Sequence, residues 1–194
     1  MIVIINYGAG NIESISNALT NLGVEHKVTS DPVEIRAADK IIFPGVGSFG
    51  FMMENLRTLG ILDVLRQELN SGKPYLGICL GLQALFEESE ESPGVKGIGF
   101  FKGKVIKFRE GRTPHVGWNS IRPQRENFLF IEQSYYFVHS YYVVPDDISL
   151  IACTTEYTTS FCSGIQHKNI VAVQFHPERS GQEGIAFLKR WIGE

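Results

Sequence analysis

One stretch constrains this chain more than any other: Lys73-Pro74-Tyr75-Leu76-Gly77-Ile78-Cys79-Leu80-Gly81-Leu82-Gln83-Ala84-Leu85-Phe86. Its first half is apolar and follows the turn signal Ser71-Gly72-Lys73-Pro74, which predicts a buried strand. Its second half places Leu82, Leu85 and Phe86 at helical spacing, which predicts a helix. Cys79 sits at the junction. Gly77 and Gly81, two residues either side, let the chain pass close to itself there. The result is a G-x-C-x-G elbow, the geometry of a G-x-S-x-G nucleophile with sulfur in place of oxygen. A helix starting at Leu80 aims unpaired N–H groups and its positive end at the sulfur, which favours a reactive thiolate. Gln83, one turn on, leans back toward it. A lone apolar cysteine between strand and helix is equally often a small core residue, so the remaining residues must decide.

A length of 194 residues suits one domain with a large core, expected over residues 1–194. Hydrophobic content of 43% and charged content of 20% fit a globular protein. A net charge of -3 gives no general attraction to nucleic acid or anionic lipid. No apolar run reaches membrane-spanning length. Met1-Ile2-Val3-Ile4-Ile5 meets polar residues too soon for a signal peptide. Three cysteines without C-x-x-C argue against a disulfide framework or a zinc site. These features predict a cytoplasmic protein without a metal.

Along the chain, Ile2–Ile5 predicts a strand covered on both faces. The glycine-rich loop Asn6–Asn11 follows, then Ile12, Ile15, Leu19 and Leu22 at helical spacing, with Gly23 as a cap. That loop could cradle a phosphate, although its spacing does not complete G-x-G-x-x-G. Val24–Val28 predicts a second strand, Asp31-Pro32 a short helix, and Lys40–Phe43 a third strand running into Pro44-Gly45-Val46-Gly47-Ser48-Phe49-Gly50. Two helices separated near Gly60 precede the elbow. Glu87, Glu88, Glu90 and Glu91 read as a solvated helix end and loop. Beyond Gly103 the pattern changes to short strands at Lys104–Phe108, Tyr135–Tyr142, Ser149–Thr154 and Thr159–Gln166. Ile170–Phe175 is a further apolar strand, and a last helix near Gly181–Ile192 buries Ile185, Leu188 and Trp191. The predicted class is α/β: a doubly wound, mostly parallel sheet flanked by helices, with antiparallel strand additions in the C-terminal half.

Ligands in such sheets bind beyond the carboxyl ends of the strands, where loops 6–11 and 44–50 and Cys79 all lie. His176-Pro177-Glu178 closes another buried strand. Residues two apart in extended chain project to the same side, so the proline-stiffened segment aims an imidazole and a carboxylate together. A thiol nucleophile needs a base, and the base an orienting partner. Cys79, His176 and Glu178 supply all three.

The G-x-C-x-G elbow with H-P-E far downstream resembles the class I glutamine amidotransferases over the whole length. Six segments narrow the resemblance to the glutaminase subunits of imidazole glycerol phosphate synthases: NYGAGN at 6–11, PGVGSFG at 44–50, GICLGLQALFE at 77–87, PHVGWN at 114–119, YFVHSY at 136–141 and QFHPERS at 174–180. Arg179 stands where that family often has lysine, and Val116 where it often has methionine. The resemblance implies a flavodoxin-like fold and hydrolysis of glutamine to glutamate and ammonia through a Cys79 thioester, with no cofactor. It implies oxyanion donors at the Leu80 and Val46 backbones, the latter in a glycine-flanked peptide able to flip. It implies substrate contacts at Gly45, Gly47, Gln83, Ser140 and Tyr141. It further implies a heterodimer with a (β/α)8-barrel cyclase, met through Asn11, Trp118, Tyr136 and Arg179. His115 and His139 read as structural or interfacial, and Cys153 and Cys162 as small core residues. Three rivals stand beside this reading: a glutaminase for another acceptor, in pyridoxal phosphate or anthranilate synthesis, a non-hydrolytic redox or chaperone-like protein, and a regulatory, inactive amidotransferase domain, against which all three catalytic positions are filled. The second does not need H-P-E.

Overall fold

The computed structural model describes residues 1–193. The first half alternates as expected: β1 (Ile2–Ile5), α1 (Ile12–Asn21), β2 (His26–Thr29), α2 (Pro32–Ala37), β3 (Lys40–Gly45), α3 (Phe49–Thr58), α4 (Ile61–Ser71), β4 (Tyr75–Cys79) and α5 (Leu80–Gln83). The second half adds β5 (Glu88–Ser89), β6 (Gly103–Lys107), β7 (His115–Ser120), β8 (Arg122–Pro123), β9 (Ser134–His139), β10 (Tyr141–Pro145), β11 (Ile151–Glu156), β12 (Ser160–His167), β13 (Ile170–Val173) and α6 (Gly181–Ile192).

The main sheet runs β2-β1-β3-β4-β13-β12-β10-β6-β5, with β11 and β8 attached beside β12. The first five strands are parallel to one another, and β12, β10 and β6 continue the sheet antiparallel. Both faces are covered. Val3 and Ile5 pack with α2, α3 and α4, while Ile2 and Ile4 pack with α1 and α6. A continuous apolar run is therefore what a central parallel strand requires, since successive side chains enter opposite cores. No helix is long and apolar enough to cross a membrane.

Local chemistry sets the boundaries. The Asp31 side chain accepts from Val33 N–H at 2.8 Å and opens α2, a cap worth about 1 kcal/mol. Gly60, at φ 67°, separates α3 from α4. The Val24 N–H closes α1 on the Leu19 carbonyl, so β2 starts two residues later than expected.

Three expectations need correction. The helix after Cys79 stops at Gln83, because loop 97–101 takes its continuation: the Ala84, Leu85 and Phe86 carbonyls accept from Ile98, Phe100, Phe101 and Gly99 N–H groups. Four residues sum little dipole, so the local N–H groups matter more than a macrodipole. The acidic cluster is exposed at Glu87, Glu88 and Glu90, as expected, but it is more than a solvated end. Glu91 accepts from Phe49 N–H at the start of α3, Glu87 from Gly103 N–H, and Glu90 from Lys107 N–H. Finally, Tyr135–Tyr142 is not one strand. It breaks at Ser140, with β9 pairing β7 in a separate two-stranded ribbon and β10 joining the main sheet.

Candidate active site

Register builds the site. In the parallel strands β3, β4 and β13, Gly45 pairs Cys79 and Val173 pairs Ile78. Gln174, the next residue, therefore comes up beside Cys79, and His176 two residues beyond it. Cys79 adopts φ 55° and ψ −108°, a conformation costly for any residue with a Cβ, held by the surrounding packing. The elbow closes because glycines bring backbones together. A Cβ on Gly81 would lie 2.0 Å from the Phe43 carbonyl oxygen, and one on Gly45 2.5 Å from Leu80 Cβ. The buried Tyr75 hydroxyl ties the turn by donating to the Gly81 carbonyl at 3.0 Å.

His176 and Glu178 converge by a route other than strand alternation. Pro177–Arg179 forms a short 3-10 turn, which folds the carboxylate back so that Glu178 Oε1 lies 2.8 Å from His176 Nδ1. Asn11 Nδ2 donates to the same oxygen at 3.1 Å. Burial disfavours the imidazolium, yet the Cys79 sulfur and the Glu178 carboxylate outweigh it and push His176 up to about 10. The imidazole is thus charged at neutral pH, the state in which it can deliver a proton.

Cys79 and His176 share a cavity of about 310 Å³ with Val46, Gly47, Leu80, Gln83, Glu91, Val138, His139, Ser140, Tyr141 and Arg179. Of the residues expected to hold substrate, Gly47, Gln83, Ser140 and Tyr141 line it, whereas Gly45 packs beneath against Leu80 and Met52. Glu91 is the one carboxylate lining the cavity among the described residues. The break at Ser140 leaves the backbone at 140–141 at the cavity wall. Val46 does not present its N–H there. That N–H donates to the Tyr7 hydroxyl at 3.0 Å, and the hydroxyl donates back to the Val46 carbonyl at 2.9 Å. Burial pushes the Tyr7 phenol well above its ordinary value, so it stays a neutral donor.

The residues expected to face a partner gather on one side. Trp118, 58% exposed, stands 6.4 Å from the Tyr136 ring across the ribbon, and the Arg179 guanidinium lies 4.3 Å over that ring. Asn11 reaches the same neighbourhood through Glu178. On the ribbon's inner face His139 Nδ1 lies 2.8 Å from the Tyr141 carbonyl oxygen, and His115 Nδ1 lies 3.1 Å from His139 Nε2. Cys153 and Cys162 are buried in β11 and β12, and burial pushes both thiols up. Sequence reasoning missed Tyr7, Glu91 and Gln174 as parts of the site. Gln174 and Tyr7 carried a signal, as members of the segments QFHPERS and NYGAGN.

Burial holds His139 down to about 3, so the folded chain keeps it neutral where the unfolded chain binds a proton. The unfolded state then binds more protons below about pH 6.5, and stability falls as pH falls from there toward 3. The expected slope from His139 alone is about 1.4 kcal/mol per pH unit. Urea midpoints measured between neutral and mildly acidic pH check this, with His139→Gln flattening the slope.

A family model for glutamine amidotransferase class-I matches residues 3–192. The chain therefore belongs to the class-I glutamine amidotransferase family. A solved structure described as a glutamine amidotransferase superposes with a TM-score of 0.80 at 18% identity, covering 100% of both chains, which supports the fold. Imidazole glycerol phosphate synthase subunit HisH of Pyrococcus furiosus is 47% identical over 195 residues, covering 98% of this chain and 97% of that one. The HisH subunit of Syntrophotalea carbinolica is 43% identical over 203 residues, covering 98% of each. Within the class, the chain belongs with the HisH subunits of imidazole glycerol phosphate synthase.

Proposed function

We propose that this chain hydrolyses glutamine and passes the ammonia to a (β/α)8-barrel cyclase, which forms imidazole glycerol phosphate and aminoimidazole carboxamide ribotide in histidine biosynthesis. The observation that carries the reading is a sulfur and an imidazole lining one cavity, with the Glu178 carboxylate 2.8 Å behind the imidazole. The Cys79 thiolate attacks the side-chain amide carbon of glutamine. The Leu80 N–H supports the oxyanion, and His176 protonates the departing nitrogen as the C–N bond breaks. His176 then takes a proton from water, which attacks the thioester and releases glutamate with the thiolate restored. Glu178 orients the imidazole and stabilises its charged form. Glu91 suits the substrate's α-ammonium, and the backbone N–H groups at Ser140 and Tyr141 suit its α-carboxylate end.

Ammonia free in neutral water is protonated and lost as a nucleophile, so a covered route to the acceptor has a purpose. The outward face of the ribbon, Val116, Trp118, Tyr136 and Val138, is apolar and supports a docked partner, with Arg179 and Asn11 at its edge. Glutaminase activity measured with the chain alone, with the barrel cyclase, and with the cyclase plus its ribulosyl ligand tests the reading. Stimulation by the cyclase and ligand is expected. Indifference to both would point to another ammonia acceptor.

The Tyr7 contacts predict weak activity for the chain alone, since a second oxyanion donor is held away from the cavity. Tyr7→Phe removes both hydrogen bonds to the Val46 peptide, which together oppose a flip by about 1–2 kcal/mol. Basal glutaminase activity of the uncomplexed variant is expected to rise about tenfold, with a smaller gain in the complex. Equal basal rates would show that Tyr7 does not restrain the loop.

A further inference from the structure

We propose that Gln174 is a further catalytic residue, whose side-chain N–H holds the Cys79 sulfur because hydrogen bonds through Gln83 to the Tyr141 carbonyl fix the direction of its amide. The proposal rests on the reading above that Cys79 is the nucleophile. Gln174 is fully buried, with Nε2 3.4 Å from Cys79 Sγ and Oε1 3.0 Å from Gln83 Nε2. An isolated amide could sit either way round. Here the direction is set from the far end, by a group with no choice.

That group is the Tyr141 carbonyl oxygen, which can only accept. Gln83 Nε2 lies 3.1 Å from it, so Gln83 must turn its NH2 that way. The second N–H of the same nitrogen then goes to Gln174 Oε1. This leaves Gln174 Nε2 on the sulfur side. Reversing Gln174 would set two NH2 groups against each other and an oxygen against the sulfur. A hydrogen bond to an anion is stronger than one to its neutral form, so the amide favours the thiolate. The same bond receives the sulfur again when glutamate leaves.

The Tyr141 oxygen also takes His139 Nδ1–H at 2.8 Å. Neutral His139 must then accept at Nε2, from His115 Nδ1–H at 3.1 Å. His115 in turn accepts at Nε2 from Asn119 Nδ2, 3.3 Å away. Both imidazoles therefore carry their proton on Nδ1. Asn119 also donates to the Glu156 carbonyl at 2.8 Å, which anchors the line where β7 carries Trp118 on its other face. Two hydrogen-bonded lines thus meet at the Tyr141 carbonyl oxygen, which accepts from both: one runs through Gln83 to Gln174 and the sulfur, the other comes from the strand proposed to meet the partner.

Gln174→Leu in the two-subunit complex tests the proposal. Loss of one donor to a charged atom predicts a fall in kcat for glutamine of about 10- to 100-fold with KM within about twofold. Iodoacetamide labelling of Cys79 at fixed neutral pH, followed by peptide mass, should slow about tenfold. Cys153 and Cys162 are buried thiols and serve as the slow background. Synthesis from added ammonium should not change. Unchanged kcat and labelling, or a change in KM alone, would overturn the role of Gln174. Glutamine turnover persisting in Cys79→Ala would instead overturn the nucleophile. Should the leucine variant not assemble, 1H–15N spectra of the wild-type complex decide: Gln174 side-chain N–H resonances that move when Cys79 is alkylated support the contact, and resonances that stay in place overturn it.

Discussion

Cys79→Ala is expected to lower glutamine hydrolysis by on the order of 10⁴-fold or more, while the complex continues to use added ammonium. Loss of the nucleophile removes the thioester, and the remaining imidazole–carboxylate pair has no covalent step to assist. Alanine is smaller than cysteine and the site is 8% exposed, so packing changes little. The substitution also removes the partner of the imidazolium. Burial, which already disfavours the charged ring, then acts against Glu178 alone, and the pKa of His176 is expected to fall from about 10. Single-turnover assays with glutamine, run beside ammonium-supported synthesis, separate the two halves of the activity. Substantial glutamine turnover in the alanine variant would remove the thioester from the mechanism.

Gly81→Ala is expected to cost about 4 kcal/mol or more and to lower the melting temperature by roughly 10 °C. The new Cβ would sit 2.0 Å from the Phe43 carbonyl oxygen, an atom of β3 that cannot swing aside like a side-chain end. The backbone of β3 or of the elbow must move, and both lead directly to the site. Gly72→Ala is the comparison. Gly72 has φ 81° and open space around its missing Cβ, so it reports the cost of left-handed backbone alone, about 1–2 kcal/mol. Thermal melts of the two variants distinguish close approach from conformational freedom. Similar losses would mean that the contact with Phe43 relaxes easily.

The parallel half was legible in the sequence because each of its signals is local. Apolar runs mark strands covered on both faces, Asp31-Pro32 marks a helix start, and Gly60 a helix boundary. The elbow and H-P-E were legible as chemistry, since sulfur, imidazole and carboxylate each follow a buried strand. The break at Ser140 was not. Tyr135, Phe137 and His139 face inward from β9, and Val143 and Pro145 inward from β10, so the odd positions stay buried across the break. A change of sheet without a change of parity leaves no trace in periodicity. The β7–β9 pairing joins segments that are far apart in sequence, with no hairpin signal between them. The acidic cluster was legible as exposed, but its hydrogen bonds to backbone N–H groups of α3 and β6 were not, since no local pattern encodes them. Gln174 enters the site through the register of β13 with β4, and Tyr7 from the loop after β1, contacts that only the assembled sheet supplies.

The ribbon's two faces answer to different masters. His115, Phe137 and His139 look inward, toward the chemistry, while Val116, Trp118, Tyr136 and Val138 look outward. A lineage can therefore redraw Val116, Trp118 and Tyr136 to suit a new recipient of its nitrogen, whereas Val138 also lines the cavity beside the sulfur. For the protein engineer, those three positions form an exchangeable docking plate on a preserved reactor.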